Sequence, residues 1–249
     1  MLKTLTAIAL PGPVYESPKL KTMQLWLAFS FFLFIVAGLG IDSVQFMGAY
    51  FDGRQVANVL FIAYFLLLFN SVGRKLQRLM FVMVPLSYLG ELLCSDALGM
   101  YNYKGDAIPL YVPFGHALVY ASGYILAKAA LTQKNATHLS IIFPAIFIII
   151  FIGALAIAGD VFSLIFGIFF FLVLRRKKWD PLYYWIALYC VFIEFTGTAF
   201  GCWVWKPIIF GILPAANPPV GSLFIYTGGD VILAKILFLW DKRKRANKT

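Results

Sequence analysis

Glu91-Leu-Leu-Cys-Ser-Asp-Ala-Leu-Gly99-Met-Tyr101-Asn-Tyr103-Lys104 is answered further along the chain by Glu194-Phe-Thr-Gly-Thr-Ala-Phe-Gly201-Cys-Trp203-Val-Trp205-Lys206. The match continues outward. Pro113-x-Gly115, Tyr120 and Ile125-Leu-Ala-Lys128 recur as Pro219-x-Gly221, Tyr226 and Ile232-Leu-Ala-Lys235. The offset is 102 at the glycines (201 − 99), 106 at the tyrosines (226 − 120) and 107 at the lysines (235 − 128). So small a drift marks one duplicated unit with a few inserted residues. Each copy sets a carboxylate in an apolar segment just ahead of an aromatic pair. Two such copies facing each other would build a site with paired acids and an aromatic lining.

The surroundings of the motif decide the fold class. Hydrophobic residues make up 61% of the chain and charged residues only 13%, with a mean hydropathy of +0.84. That composition belongs to a polytopic membrane protein rather than a soluble domain. Apolar runs approach the ~20 residues that cross a ~30 Å hydrocarbon core as a helix. They lie at roughly 23–41, 56–70, 79–95, 110–131, 139–158, 160–174, 181–200 and 220–240, the second and sixth being short. The expected architecture is an all-α polytopic membrane protein of about eight transmembrane helices, built as two parallel four-helix repeats. Residues 1–22 form a cytoplasmic N-terminal arm and 23–131 the first repeat. An inner linker at 132–138 leads to the second repeat at 139–240, and a basic cytoplasmic tail occupies 241–249. Because each repeat has an even number of spans, both copies insert the same way up, about an axis along the membrane normal.

The net charge of +10 is distributed by topology. With the N-terminus inside, 18 of the 21 Lys and Arg residues fall on inner segments, and only Arg54, Lys104 and Lys206 fall outside. This follows the positive-inside rule and places both termini in the cytoplasm, with the plasma membrane as the expected location. The runs Arg175–Lys178 and Lys242–Arg245 read as topology determinants, and nucleic-acid binding is not indicated. Cys94, Cys190 and Cys202 have neither metal nor redox spacing. Leu5–Leu10 is too short for a signal peptide and runs into Pro11 and Pro13.

The candidate catalytic residues are Glu91, Glu194, Asp96 and Asp230. Glu91 and Glu194 precede their glycines by eight and seven residues (99 − 91, 201 − 194), roughly 10 Å below the outer end of each helix. A carboxylate at that depth costs at least ~2.5 kcal/mol in lipid, so it must face the bundle interior. Tyr101, Tyr103, Trp203 and Trp205 sit at period two, which puts each pair of rings on one side of an extended segment. Electron-rich rings there can line a pocket and stabilise a carbocation. They also fit the aromatic belt at the membrane boundary. His116 and Asn217 are pocket-rim candidates, with Asn217 read as the cap of the last helix. The acids equally suit hydrogen-bonded glue between helices, or a proton relay in a transporter of a small or lipidic solute. The apolar inner segments Phe143–Phe151 and Phe166–Leu174 offer a transported solute no polar path.

Other chemistries lack their residues. Two histidines, far apart, cannot form a histidine-box di-iron site, and no phosphate loop, His-Glu-x-x-His or Gly-x-Ser-x-Gly occurs. Asp230-Val-Ile-Leu-Ala-Lys235 has the composition of a retinal counter-ion and lysine, but Lys235 and its twin Lys128 are boundary residues that snorkel.

At these motifs the sequence resembles the membrane carotenoid-biosynthesis proteins typified by bisanhydrobacterioruberin hydratase. The family pattern has an acid, Gly-x-Tyr-x-Tyr and Val-Pro, then an acid, Gly-x-Trp-x-Trp, Gly-x-Pro and Asn. Here the first copy reads Glu91, Gly99-Met-Tyr101-Asn-Tyr103 and Val112-Pro113. The second reads Glu194, Gly201-Cys-Trp203-Val-Trp205, Gly211-Ile-Leu-Pro214 and Asn217. Pro218-Pro219 stands where the family has an aromatic-containing turn, and Gly211 to Pro214 is one residue longer. The resemblance implies addition of water to a terminal double bond of a linear carotenoid or similar polyprenoid, an apolar substrate dissolved in the bilayer. It implies no metal, nucleotide or redox cofactor. A cyclase or isomerase would differ only in how the cation is quenched.

The orientation is open to test by single cysteines and a membrane-impermeant label. A cysteine at Lys206 is expected to react from outside, and cysteines at Arg176 and Lys244 only after permeabilisation. Labelling of Lys244 from outside would reverse the topology.

Overall fold

A peptide group in hydrocarbon must find its hydrogen bond within its own segment, so long apolar runs close into helices. The computed structural model describes residues 18–105 and 107–246, with backbone alone at 18–20 and 241–246. Ten α-helices are present among them: α1 (Pro18–Ile41), α2 (Val44–Ala49), α3 (Arg54–Ser71), α4 (Arg74–Glu91), α5 (Tyr111–Ala127), α6 (Ala130–Lys134), α7 (Ala136–Ala158), α8 (Val161–Arg176), α9 (Pro181–Ala199) and α10 (Ser222–Ala246). Six helical segments are long and apolar enough to cross a membrane: Lys21–Ile41, Arg54–Ser71, Arg74–Ala97, Ala136–Ala158, Pro181–Ala199 and Ser222–Trp240.

The two remaining long helices are α5 and α8. The run 160–174 is indeed short, as α8. The run 110–131 looks long enough to span, yet α5 stops at Ala127 and the chain restarts as α6. At 17 residues α5 rises only about 25 Å. Its sides meet α1, α3, α4 and α9 rather than lipid, and from Ala117 to Ala127 every residue is buried. It is the central post of the bundle.

Other boundaries move too. Helix α1 begins at Pro18, inside the expected arm, and α10 runs through much of the expected basic tail. The expected polar linker 132–138 is helical, shared between α6 and α7. The rest of the arm (1–17), the end of the tail (247–249) and Asp106, expected in an outer loop, lie outside the described residues.

Several helix contacts recur in both halves, although α1 packs on α5 and α9 with no comparable packing of α7 on α10 and α4. Helix α4 packs on α5 as α9 packs on α10, α3 on α5 as α8 on α10, and α1 on α3 as α7 on α8. The halves join through the reciprocal contacts α5–α9 and α4–α10. At one end of the bundle Arg78, near the start of α4, lies over the Trp240 ring near the end of α10 at 5.6 Å. At the other, the Tyr111 amide of α5 donates to Asn58 of α3 at 2.8 Å.

The motif itself forms the joint between copies. Strands β1 (Tyr101–Tyr103) and β2 (Trp203–Trp205) pair antiparallel, with Tyr101 opposite Trp205 and Tyr103 opposite Trp203. The Lys104 amide donates to the Cys202 carbonyl, and the Lys206 amide to the Met100 carbonyl, both at 2.9 Å. These two bonds exchange under the offset of 102 (206 − 104, 202 − 100). A second small hairpin, β3 (Ile208–Ile209) with β4 (Leu213–Pro214), follows.

The spare residue between Glu91 and Gly99 has a visible home. After Glu91 the helix widens into a π-helical turn over Leu92–Ala97, whereas α9 stays α-helical to Ala199. The Met100 amide consequently reaches back six residues to Cys94, and the Cys202 amide five to Gly197. A π-turn absorbs one extra residue while keeping the flanking side chains in register. Gly99 and Gly201 both turn the chain at positive φ, +58° and +67°.

Close approach sets a further requirement at Gly197, where a Cβ would fall 2.0 Å from the Trp203 ring. Gly197→Ala is therefore expected to cost about 1–3 kcal/mol by overpacking. Gly90→Ala, with open space around it, is expected to be neutral or stabilising, since alanine favours a helix by up to ~1 kcal/mol. Thermal unfolding of both variants in detergent checks the contrast.

Candidate functional site

The inward faces of β1 and β2 carry the four aromatic rings, all buried, while Asn102 and Val204 point outward. That is the alternation expected from period two. The rings do more than line a wall. The Tyr101 and Tyr103 hydroxyls donate to Glu91 Oε2 at 2.6 and 2.5 Å. In the other copy the Trp203 and Trp205 indoles donate to Glu194 Oε2 at 3.0 and 2.9 Å. Each glutamate is gripped by the strand of its own repeat, one by phenols and the other by indoles.

Each carboxylate also has a third partner. His116 Nε2 lies 3.0 Å from Glu91 Oε1, and the Tyr226 hydroxyl donates to Glu194 Oε1 at 3.2 Å. The His116 and Tyr226 rings stack at 4.6 Å, so the two partner sets touch. Glu91 and Glu194 are only 6% and 5% exposed. Burying a carboxylate without such donors costs several kcal/mol, and here every carboxylate oxygen is engaged.

Both glutamates open into one cavity of about 60 Å³, space for a few waters or a slender chain rather than a bulky ring. Its polar end is formed by the two acids, His116, Tyr226 and the four motif aromatics. Aliphatic side chains including Ile35, Leu39, Val119 and Ile225 complete the wall. Of the expected site residues, Glu91, Glu194, Tyr101, Tyr103, Trp203, Trp205 and His116 thus come together.

Three do not. Asp96 is exposed on the π-helical turn, hydrogen-bonded by its neighbour Ser95, and is outside the cavity. The π-turn aims Glu91 inward and leaves Asp96 on the far side. Asn217 caps no helix. Its Oδ1 accepts the Trp205 amide at 2.9 Å, pinning β2, and α10 begins only at Ser222. Asp230 is buried deeper, against a second small cavity that shares His116 and Tyr226 with the first. Tyr226 was visible only as a repeated tyrosine. Its role at Glu194 depends on packing of α10 against α9, which no local pattern encodes.

Above the cavity lies an ion cluster that sequence reading left as scattered loop charges. Asp42, fully buried, meets Lys104 Nζ at 2.9 Å and Arg54 Nε at 3.6 Å. The Tyr111 hydroxyl, from a residue lining the cavity, donates to it at 2.8 Å. Lys104 also bonds Asp52 at 3.1 Å. The hydrogen bond from Lys104 and that from the Arg54 amide hold the Asp52 carboxyl below its ordinary value. Burial pulls the Lys104 ammonium down, but its bonds to Asp42 and Asp52 outweigh this and hold it above its ordinary value.

Among the described residues no group of three or more His, Cys, Asp or Glu side chains is placed to hold a metal ion. No protein-family model, curated protein or solved structure matches the chain.

The cluster has a pH signature. A lowered Asp52 contributes stability present above the ordinary carboxylate value of 3.8 and lost as pH falls through the folded value. A raised Lys104 contributes stability present below 10.5 and lost as pH rises through its folded value. Asp52 is more than half exposed, so the alkaline limb is expected to dominate. Lys104→Met strips the buried Asp42 of its nearest cation and is expected to cost about 3–5 kcal/mol near neutrality. Its stability profile should flatten at alkaline pH, read as melting temperature against pH in detergent.

Proposed function

We propose that this chain is an integral membrane enzyme that protonates a carbon–carbon double bond of a carotenoid-like or polyprenoid lipid and adds water to it, as its resemblance to the carotenoid hydratases implies. The observation that carries the proposal is the convergence of two buried, fully hydrogen-bonded carboxylates on one narrow, otherwise apolar cavity. In this reading all eight long helices span the plasma membrane as two parallel repeats, with both termini cytoplasmic. Support comes from the reciprocal helix contacts, the exchanged strand bonds and the basic residues at the Arg78–Trp240 end of the bundle.

The two acids differ in what surrounds them, and in this reading that difference divides the roles between them. Glu91 and His116 can hold a proton between them, because imidazole and carboxylate both take and give one. Indole N–H groups only donate, so Trp203 and Trp205 leave Glu194 as a proton acceptor. In the first step the Glu91–His116 pair gives its proton to the less substituted olefin carbon. A C–H bond forms and the neighbouring carbon becomes a tertiary cation. The ring walls of Tyr101, Tyr103, Trp203 and Trp205 shield it. Water then adds its oxygen lone pair to the cation, forming the C–O bond, and its surplus proton passes to Glu194, a general acid and base divided between two repeats.

The cavity's size favours water as the quencher. Ring closure would require the chain to fold back within a slot of about 60 Å³.

Glu91→Gln and Glu194→Gln keep shape and most hydrogen bonds but remove the acidic or basic oxygen. Each is expected to lower hydration about 10²–10⁴-fold with the melting temperature little changed. Trp203→Phe, which deletes one of two indole donors, should slow the reaction less. The readout is mass spectrometry of lipid extracts, where the intact gene adds the mass of one water. Activity within a few-fold of wild type in both Gln variants would remove acid–base catalysis and leave the glutamates as structural glue.

A further inference from the structure

Asp230 is a buried carboxylate that the steps above do not touch. It is 3% exposed and lies one helical turn beyond Tyr226 on α10, just as Tyr120 lies one turn beyond His116 on α5. Residues four apart share a helix face. Helix α5 therefore presents His116 and Tyr120, and α10 presents Tyr226 and Asp230, to a common space. That space is a second cavity of about 10 Å³, the size that admits a single water.

Three residues border both cavities: His116, Val119 and Tyr226. Val119 has no proton to carry, and the Tyr226 hydroxyl is engaged by Glu194. His116 is the connection. Its Nε2 faces Glu91, and an imidazole that gives a proton at one nitrogen can take one at the other.

The duplication shows that this arrangement is not shared scaffold. The offset of 106 that aligns Tyr120 with Tyr226 also aligns His116 with Ser222 (222 − 116) and Tyr124 with Asp230 (230 − 124). The imidazole occurs only in the first copy and the deep carboxylate only in the second. They meet because α5 and α10 supply opposite walls of the small cavity.

We propose that Asp230 reloads the Glu91–His116 pair with a proton after each protonation of the olefin, acting through the small cavity and the imidazole. This rests on the olefin-protonation reading. The proton balance closes over one turnover. The pair loses one proton to carbon, and Asp230 gives its own to the second imidazole nitrogen. The resulting Asp230 carboxylate is held by the Tyr183 hydroxyl and regains a proton from solvent, while Glu194 releases to solvent the one it took from water. The groups around the relay are few. Glu91 from α4, Glu194 from α9 and Tyr226 from α10 face His116. Tyr183 of α9 bonds Asp230, and Lys177 and Asp180 at the α8–α9 turn are the further charges that act on it.

A reloading group is needed for the second turnover but not the first. In proteoliposomes loaded with lycopene as a linear carotenoid probe, Asp230→Asn is expected to complete its first turnover at the wild-type rate. Later turnovers should be at least ~10-fold slower, and Asp230→Glu should restore them. Equal rates in all turnovers, or a first turnover slowed as much as the rest, would overturn the proposal. Met83→Phe, at a residue that borders the small cavity but not the larger one and keeps Asp230, should likewise slow later turnovers relative to the first, so a poorly folding Asp230→Asn does not leave the matter open. A second arm needs no substrate. Since the chain has two histidines, His138→Gln leaves His116 as the single imidazole for ¹⁵N NMR. Asp230→Asn is expected to move the His116 ring ¹⁵N resonances at fixed pH, and unmoved resonances would exclude the coupling. A wild-type protein that never hydrates lycopene, with those resonances moved, would count against the hydratase reading rather than against the coupling.

Discussion

A carboxylate inside a membrane protein must be supplied with hydrogen-bond donors by its own fold, and most of what distinguishes this chain follows from doing so twice. Glu91 and Glu194 stand on helices α4 and α9 at a depth where water is not at hand. The donors come from the strands that follow, folded back so that two phenols reach one acid and two indoles the other. Turning the chain back within a few residues calls for the positive-φ glycines Gly99 and Gly201, and for Gly197 to let the Trp203 ring lie against α9. The strands then satisfy their own backbone groups on each other. The carboxylates thus dictate the strands, and the strands join the two halves.

The two copies of the motif do not make equivalent halves of the site. The frame is common to both copies: acid, glycine turn, aromatic strand, buried post. The π-helical turn after Glu91 absorbs a residue the second copy does not have. Lys104 engages the buried Asp42, whereas its counterpart Lys206 is exposed. His116 stands where the other copy has Ser222, and Asp230 where the other has Tyr124. The donors around the two acids differ accordingly, phenols with an imidazole against indoles with a phenol.

Most of the fold class was legible because its signals are local. Apolar runs of membrane length and the repeated Glu–Gly–aromatic motif each lie within a short stretch. The period-two spacing of Tyr101, Tyr103, Trp203 and Trp205 correctly announced extended segments with inward rings. Features that depend on a neighbour were less legible. The run 110–131 reads as one continuous segment, whereas α5 ends at Ala127 and the chain restarts as α6. Asp96 and Asn217 matched the motif in position, yet a π-turn faces one outward and the other holds a strand amide.

What the sequence determined by itself was the set of elements and the chemistry each one carries, because helix formation in hydrocarbon and strand alternation are decided by adjacent residues. What only the tertiary structure decided was the partnership: Tyr226 with Glu194, His116 with Glu91, Lys104 with Asp42, Asp230 with the small cavity beneath His116. Those side-chain pairs are separated by as many as 62 residues, the distance from Lys104 to Asp42. They exist because α5 and α10 pack between the acid-bearing helices and bring their side chains to the same depth. Hydrogen bonds at about 3 Å tolerate little displacement, so the site is a property of that packing rather than of any segment within it.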